Sequence, residues 1–225
     1  MKHLLINSAV IASVLTLGAC STVQPGTTTE DGLVAQDSPV FDELYLRPGA
    51  NLSQYSSYGL ENCEVTFRKD WQRDQNQNRP DISNRVTQKN IDEITESISK
   101  SCNTYLERAL QEEPMLTLAQ PGEAASGVLT VRPSVIDLDI NAPDTDGPGI
   151  VRSFTTSFGE MTLVLELADA ATGEVLARAV DKRRGPERGY LQRTNSVTNQ
   201  FETNRILRNW SKQVRASLDG GIASS

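Results

Sequence analysis

The sequence predicts an α+β fold, a two-layer sandwich in which two helices cover one face of a mostly antiparallel, four-stranded sheet. Three observations support this prediction. Four segments are rich in β-branched or alternating apolar residues, and two longer segments carry apolar residues at helical spacing. These segments follow one another in the order strand, helix, three strands and helix. The chain of 225 residues is long enough for one substantial core with a tail.

The first strand and the first helix are predicted on either side of a polar loop. Residues 55–67 are predicted to form a strand, because Cys63, Val65 and Phe67 alternate with other residues toward its end, which places them on one face. The polar residues 68–85 are interpreted as a long loop. A helix is expected from about residue 87 or residue 90 to residue 111, because isoleucine, cysteine and tyrosine side chains recur there at helical spacing before a proline.

Three further strands and a second helix complete the prediction. Residues 127–140 are rich in Val, Ile and Leu and predict a strand with a bulge near Pro133, because proline cannot donate a ladder hydrogen bond. Residues 154–168 and 174–182 predict a hairpin, since a short turn containing Asp, Thr and Gly separates them. Residues 199–218 carry apolar side chains at helical spacing before two glycines, which predicts the final helix.

Residues 1–19 have the three-part layout of a secretory signal peptide. The apolar run is shorter than the roughly 20 residues that span a bilayer, although a retained membrane anchor is the alternative. The segment Leu-Gly-Ala-Cys at residues 17–20 resembles the lipobox of bacterial lipoproteins, which implies that diacylglycerol is attached to the sulfur of Cys20. Ser21 follows, and the absence of Asp at that position implies sorting to the outer membrane.

Composition sets the expected boundaries of the mature chain. Residues 20–40 are rich in Thr, Gly, Asp, Pro and Ser and contain few large apolar residues, so we expect a flexible tether. Residues 41–218 form the predicted periplasmic domain. Residues 219–225 are expected to be a disordered tail.

Two cysteines remain once Cys20 is assigned to lipid. Cys63 lies on the apolar face of the first predicted strand and Cys102 on the apolar stripe of the first predicted helix, so both point toward one core. An exported protein folds in an oxidising compartment, where such a pair forms a disulfide. We therefore predict a Cys63–Cys102 bond, with two buried free thiols as the alternative.

The composition argues against most catalytic functions and against nucleic-acid binding. The one histidine, His3, lies in the predicted signal peptide, so the mature chain lacks the residue on which much acid–base catalysis and metal binding depend. A net charge of −7 disfavours nucleic acid as a partner. We expect no catalysis and no cofactor. A carboxylate-dependent hydrolase acting on envelope glycans or peptidoglycan is the alternative.

Two charged clusters and one tryptophan are candidate binding features. The acidic cluster could ligate Ca²⁺, but its spacing does not match an EF-hand loop, so we favour an ordinary turn and expect no metal. The basic cluster could contact an acidic partner, or it could pair with the protein's own carboxylates. Trp71 in the polar loop is a candidate interface residue that could equally fold back on the sheet. The acidic cluster comprises Asp137, Asp139, Asn141, Asp144 and Asp146, and the basic cluster comprises Lys182, Arg183, Arg184, Arg188 and Arg193.

Several segments of the chain resemble one family of Gram-negative lipoproteins. They are YLRPGANLSQYSSYGLENCEVTF, SCNTYLERAL, GVLTVRPSVIDLDI and, most tellingly, the hairpin MTLVLELADAATGEVLARAVDKRRG. This group is domain-of-unknown-function family 3313, and the resemblance covers roughly residues 41–218. It implies an envelope lipoprotein with a small α+β domain, and it carries no catalytic residues onto this chain.

The sequence therefore favours a binding or assembly role over a catalytic one. We expect a non-enzymatic module, anchored by lipid to the outer membrane and facing the periplasm, that contacts an envelope protein partner.

Overall fold

The structure is a computed structural model of the chain. It describes residues 24–77, 79, 81–112, 117–119, 125–141, 143, 145, 153–187, 189–190 and 192–223. These residues form a mixed α+β fold with one eight-stranded sheet, a two-stranded ribbon and three α-helices.

One sheet of eight strands forms the body of the domain, twice the number predicted. Its strand order is β1-β2-β9-β8-β6-β3-β5, with β4 also paired to β6, while β7 and β10 form the separate ribbon. The strands are β1 (Val34–Gln36), β2 (Glu43–Leu46), β3 (Ser57–Leu60), β4 (Glu64–Phe67), β5 (Thr117–Leu118), β6 (Val128–Ile140), β7 (Ser153–Thr155), β8 (Gly159–Asp169), β9 (Val175–Arg184) and β10 (Gln192–Thr194).

The sheet is mixed, which corrects the expectation of a mostly antiparallel sheet. Strands from β1 through β2, β9 and β8 to β6 pair antiparallel, whereas β3 and β4 pair parallel to β6 and β5 pairs parallel to β3. The parallel part has a simple cause. A long helix lies between β4 and β6 in the chain, and a helical crossover returns the next strand in the same direction.

The four strands predicted from sequence are present, and the additional strands are short. The first predicted strand is split into β3 and β4, and the other three correspond to β6, β8 and β9. Strands β1, β2 and β5 contain only two to four residues. Segments of that length are too short to display an alternating pattern, which explains why the sequence did not predict them.

Three α-helices are described: α1 (Trp71–Gln77), α2 (Gln88–Gln111) and α3 (Ser196–Ala223). Helix α2 begins as predicted, because Thr87 and Asn90 form a capping box at its N-terminus. Helix α1 lies inside the segment predicted as a loop. Helix α3 continues through the two glycines to Ala223, so it extends into the predicted disordered tail.

The core lies between one face of the sheet and the helices α2 and α3. Along β8, residues at alternate positions from Met161 to Leu167 are buried on this face. Helix α2 contributes Ile98 and Leu106 to the same cluster, and helix α3 contributes Leu207 and the predicted core residue Trp210. Side chains that alternate between buried and half-buried along a strand are expected when helices cover only one face of the sheet.

The predicted bulge in β6 lies at Asp137 rather than at Pro133. The register with β8 shifts between Ile136 and Asp139, and Asp137 adopts a positive φ of 51°. Pro133 stays in register with Leu165 of β8. The carbonyl of Val131, two residues earlier, accepts from the N–H of Glu61, so this side of β6 faces β3 and β4, and position 133 falls between the end of β3 and the start of β4. The missing N–H therefore has no partner to lose.

The ordered sheet begins earlier than the predicted boundary at residue 41. Strand β1 lies within the predicted tether, and Leu33 beside it is fully buried. Leu33, Ala35 and Tyr45 form a second, smaller cluster with Val175 and Val180. A few apolar residues are enough to fix this segment because β2 supplies an edge for it to pair with.

Candidate functional site

The predicted disulfide joins Cys63 and Cys102. Their Cα atoms are 6.1 Å apart, and both residues are buried. Cys63 comes directly before β4, and Cys102 lies on the core side of α2. The side chains of Ser99 and Asn103 bond to the carbonyl and the N–H of Cys63, at 2.7 and 2.8 Å. The bond thus fixes one edge of the sheet to α2, a structural role.

Trp71, a candidate interface residue, is 1% exposed and belongs to the core. Its Nε1 donates to the carbonyl of Ile140 at 3.2 Å, and its ring packs on Phe67 with the centroids 4.3 Å apart. The polar residues around Trp71 give no sign in the sequence that this side chain is buried. Trp71 begins the short helix α1, and its ring turns inward from there. It offers no surface to a partner in this structure.

The basic cluster is divided between the two faces of β9. Lys182 and Arg184 lie on the outer face, where both pair with Glu160 at 2.9 and 2.7 Å. These hydrogen bonds, that of Lys182 first, hold the pKa of the Glu160 carboxyl below its usual range. Arg188 and the side chain of Arg193 lie outside the described residues. The three described side chains are thus paired with the protein's own carboxylates.

Arg183 points to the core face of β9, where it pairs with Asp181. Its Nε lies 2.7 Å and its Nη2 2.5 Å from Oδ2 of Asp181, and Nη2 also donates to Gln213 of α3 at 3.0 Å. Asp181 is 1% exposed. Burial raises the pKa of its carboxyl, and the nearby Arg183 guanidinium opposes that shift only in part.

The acidic cluster forms no metal site in the part of the chain that the structure describes. Asp144 and Asp146 lie outside it. The carboxylate of Asp139 pairs with Arg68 at 2.7 Å, and Asp137 occupies the bulge in β6. Among the described residues, no three His, Cys, Asp or Glu side chains converge as metal ligands would.

An apolar pocket that the sequence did not predict lies at the opposite edge of the sheet from the disulfide. Its volume is about 480 Å³. Strands β2, β8 and β9 form the floor, the C-terminal half of α3 forms one wall, and the loops at residues 37–41 and 47–52 form the other. Fourteen of its lining residues are apolar: Pro39, Val40, Phe41, Leu44, Leu46, Ala50, Leu52, Leu165, Leu167, Leu176, Ala177, Ala179, Val214 and Leu218.

Small side chains on β9 create the pocket. Ala177 and Ala179 pair with Leu167 and Leu165 of β8, so alanines stand where larger residues would fill the space under α3. The signal in the sequence is the pair of alanines at alternate positions of an otherwise regular hairpin, which a strand prediction alone does not distinguish from packed core.

The polar lining residues stand at the mouth of the pocket. Asp37 is exposed, and Ser38, Arg47 and Ser217 are half-buried, whereas the leucines and alanines that β8 and β9 contribute to the floor are at most 6% exposed. Arg47 is held in place by Glu174 at 3.2 Å and by the carbonyl of Val175 at 2.6 Å. The interior of the pocket is therefore hydrocarbon, with charge confined to the rim.

A second, smaller pocket of about 220 Å³ lies between the N-terminal halves of α2 and α3. Uncharged polar side chains such as Ser97 and Gln200 line it, and these two bond to each other across it at 3.4 Å. The Oδ1 atom of Asn204 is buried there without a partner. Its volume lies below the usual range of ligand sites, whereas that of the apolar pocket lies within it.

Cys20 and the predicted signal peptide lie outside the described residues. Of the helices that the structure describes, none combines the length and the apolar character needed to cross a membrane.

Three solved structures resemble the fold at low sequence identity. The PelC dodecamer from Paraburkholderia phytofirmans has a TM-score of 0.35 and 11% identity, covering 76% of this chain and 96% of that chain. Protein XCC0632 from Xanthomonas campestris, of family DUF330, has a TM-score of 0.40 and 10% identity over 76% and 86%. A neuraminyllactose-binding hemagglutinin homolog from Helicobacter pylori has a TM-score of 0.33 and 10% identity over 75% and 82%.

No protein of curated function matches the chain in sequence. A family model does match, over residues 24–214, and its description is "Protein of unknown function (DUF3313)". The match spans most of the described residues, including β1 and all the lining residues of the apolar pocket except Ser217 and Leu218. The chain belongs to the DUF3313 family.

Proposed function

We propose that this protein is a lipid-anchored, non-catalytic binding module of the bacterial cell envelope, and that its apolar pocket receives the apolar part of another envelope component. The anchor is Cys20, and the membrane is the outer membrane. The observation that carries the proposal is the pocket of about 480 Å³, whose floor and walls are almost entirely hydrocarbon. Sites for small ligands are concave and mostly apolar, with a few polar groups at defined positions.

The pocket is preformed, which supports binding. The floor strands are paired on both sides, and Arg47 fixes the loop wall to β9 through the carbonyl of Val175. A site held in its binding shape loses little conformational entropy when it is filled. An exposed apolar concavity otherwise has only a cost, because its surface stays in contact with water.

A hydrolase would need an acid with a raised pKa that substrate can reach. Within the described chain, Asp181 is the carboxyl whose pKa is raised, through burial. It is 1% exposed, it faces α3, and it is held by Arg183. This position favours a structural ion pair over a general acid, and it supports the non-catalytic proposal.

The proposal is tested first on the anchor. Radiolabelled palmitate should enter the wild-type protein and should be absent from the Cys20→Ser variant, and the wild type should fractionate with outer membranes. Unlabelled wild-type protein in the cytosol would overturn the proposal.

The pocket is tested by capture from membranes. The lipidated protein should retain a defined envelope component, lipid or protein, and Leu46→Asp at the mouth should lose it. Leu118→Asp is the matched control, since Leu46 and Leu118 are 36% and 41% exposed and Leu118 lies at the other edge of the sheet. Equal retention by both variants would contradict a role for the pocket. Turnover of peptidoglycan by the purified protein would overturn the non-catalytic assignment.

A further inference from the structure

The chemical class of the ligand follows from the atoms that line the apolar pocket, and this step rests on the proposed function of the pocket. Leu165, Leu167, Ala177 and Ala179 form its floor, and Val214 belongs to its helical wall. None of these side chains can donate or accept a hydrogen bond. A ligand group that descends below the rim therefore meets only hydrocarbon.

The backbone of the floor strands and of the helical wall offers no hydrogen bonds either. Strand β2 is paired with β1 and β9, β9 with β2 and β8, and β8 with β9 and β6. The N–H and C=O groups of α3 bond along the helix. A peptide backbone or a sugar hydroxyl buried there would lose its hydrogen bonds to water without replacement, which is costly. The buried part of the ligand must therefore be a hydrocarbon chain without polar groups.

The gain from burying a hydrocarbon chain depends on whether the chain leaves a bilayer or leaves water. A diacyl lipid in a bilayer already has its chains in hydrocarbon, so moving one into the pocket takes only the lining of the pocket, and not the chain itself, out of contact with water. A single-chain amphiphile dissolved as a monomer does leave water when its chain enters the pocket. Its head group would remain at the rim, beside Ser38, Arg47 and Ser217.

We propose that the apolar pocket binds the hydrocarbon chain of a single-chain amphiphile, of the fatty-acid or lysophospholipid class, with the head group at the rim. The pocket accepts the monomer from water rather than a lipid from a bilayer.

The test is a chain-length series measured by titration calorimetry. The mature chain with Cys20→Ser is used, so that neither its own lipid nor detergent competes for the pocket. Saturated fatty acids of increasing length are the probes, below their micellar concentrations. Affinity should rise about fourfold for each added methylene, equivalent to about 0.8 kcal/mol, until the pocket is full, and then level off.

Leu46→Asp should weaken binding of the longest probe at least tenfold, because it places a charge at the apolar mouth. Leu118→Asp should bind like the parent chain, and thermal melts should show both variants folded. Affinity that does not depend on chain length, or equal loss in the two variants, would overturn the assignment. Pocket-dependent binding to diacylphospholipid vesicles would overturn the choice of a single-chain ligand.

These outcomes separate the ligand from the proposed function. A chain that binds no fatty acid but still loses a captured envelope component through Leu46→Asp would refute the amphiphile and leave the binding module intact. Fatty-acid binding by a protein that is neither lipidated nor exported would refute the module and leave the ligand class intact.

Discussion

The two edges of the sheet are built on opposite principles. At the edge where β4 pairs with β6, a disulfide, the buried ring of Trp71 and the fully buried Leu138 close the space between sheet and helices. Toward the opposite edge, where β9 pairs with β2, Ala177 and Ala179 leave a pocket under the C-terminal half of α3. The same sheet and the same helical layer thus end in a closed region and an open region.

The difference shows where a small domain can hold an unfilled binding pocket without losing its stability. Interiors are close-packed, and an unfilled apolar cavity costs stability. The closed edge supplies a cross-link and dense packing far from the pocket. This arrangement lets the open edge keep a preformed concavity without loss of the fold, and it predicts that changes in the closed edge affect stability while changes in the open edge affect binding.

The largest effect should come from removing the disulfide at the closed edge. A Cys63→Ala, Cys102→Ala double variant loses a cross-link that spans 39 residues, and we expect a loss of about 4 kcal/mol in the free energy of unfolding. Denaturant unfolding under oxidising conditions measures it, with the reduced wild type as a second comparison. Fatty-acid affinity, measured well below the new melting temperature, should be unchanged. A parallel fall in affinity would show that the two edges are coupled.

Two leucines on β8 allow the stability of the closed and open regions to be compared within one strand. Leu163 is fully buried and lies outside the pocket, whereas Leu167 is 5% exposed and lines it. Leu163→Ala should cost about 3 kcal/mol, because it opens a cavity in packed surroundings. Leu167→Ala enlarges a space that already exists, so its cost should be smaller, about 2 kcal/mol. Denaturant midpoints at equal m-values test this order, and the reverse order would contradict the contrast between the regions.

Two buried alanines give a contrast in sign. Ala168 is fully buried outside the pocket, so Ala168→Leu should overpack the structure and cost about 1–3 kcal/mol. Ala179 is 6% exposed and faces the pocket, so the new side chain of Ala179→Leu enters empty space. We expect it to be neutral or to stabilise by about 0.5–1 kcal/mol, while fatty-acid affinity falls at least tenfold. Comparable destabilisation by both would mean that the pocket is not free volume.

The sequence predicted the closed region well and the open region poorly. The alternation through Cys63 and the stripe through Cys102 identified two elements facing one core, because each pattern reports local burial. Trp71 misled, since its neighbours are polar and only the tertiary structure turns it inward. The pocket depends on which residues of β2, β9 and α3 come together. That arrangement joins segments that are far apart in the sequence. It cannot be predicted from strands of three or four residues or from two alanines at alternate positions.

Asp181 marks the boundary between the regions, and its effect should be the smallest of the four. It pairs with Leu163 across β9 and β8, while Ala179 beside it already lines the pocket. Burial raises its folded-state pKa above the ordinary value of 3.8, so the folded state holds this proton more tightly than the unfolded state does. The contribution of this group to the free energy of unfolding is therefore lost as the pH rises from about 4 through the folded pKa.

Asparagine keeps the shape of this side chain and removes the proton, so the pH dependence of Asp181→Asn isolates that contribution. Its stability relative to wild type should increase from acidic to neutral pH, because only the wild type has to give up this buried proton as the pH rises. Asp74→Asn should show the opposite slope, since hydrogen bonds from Arg68 lower the pKa of Asp74. Parallel slopes for the two variants would mean that the ion pair with Arg183 lowers the pKa of Asp181 more than burial raises it.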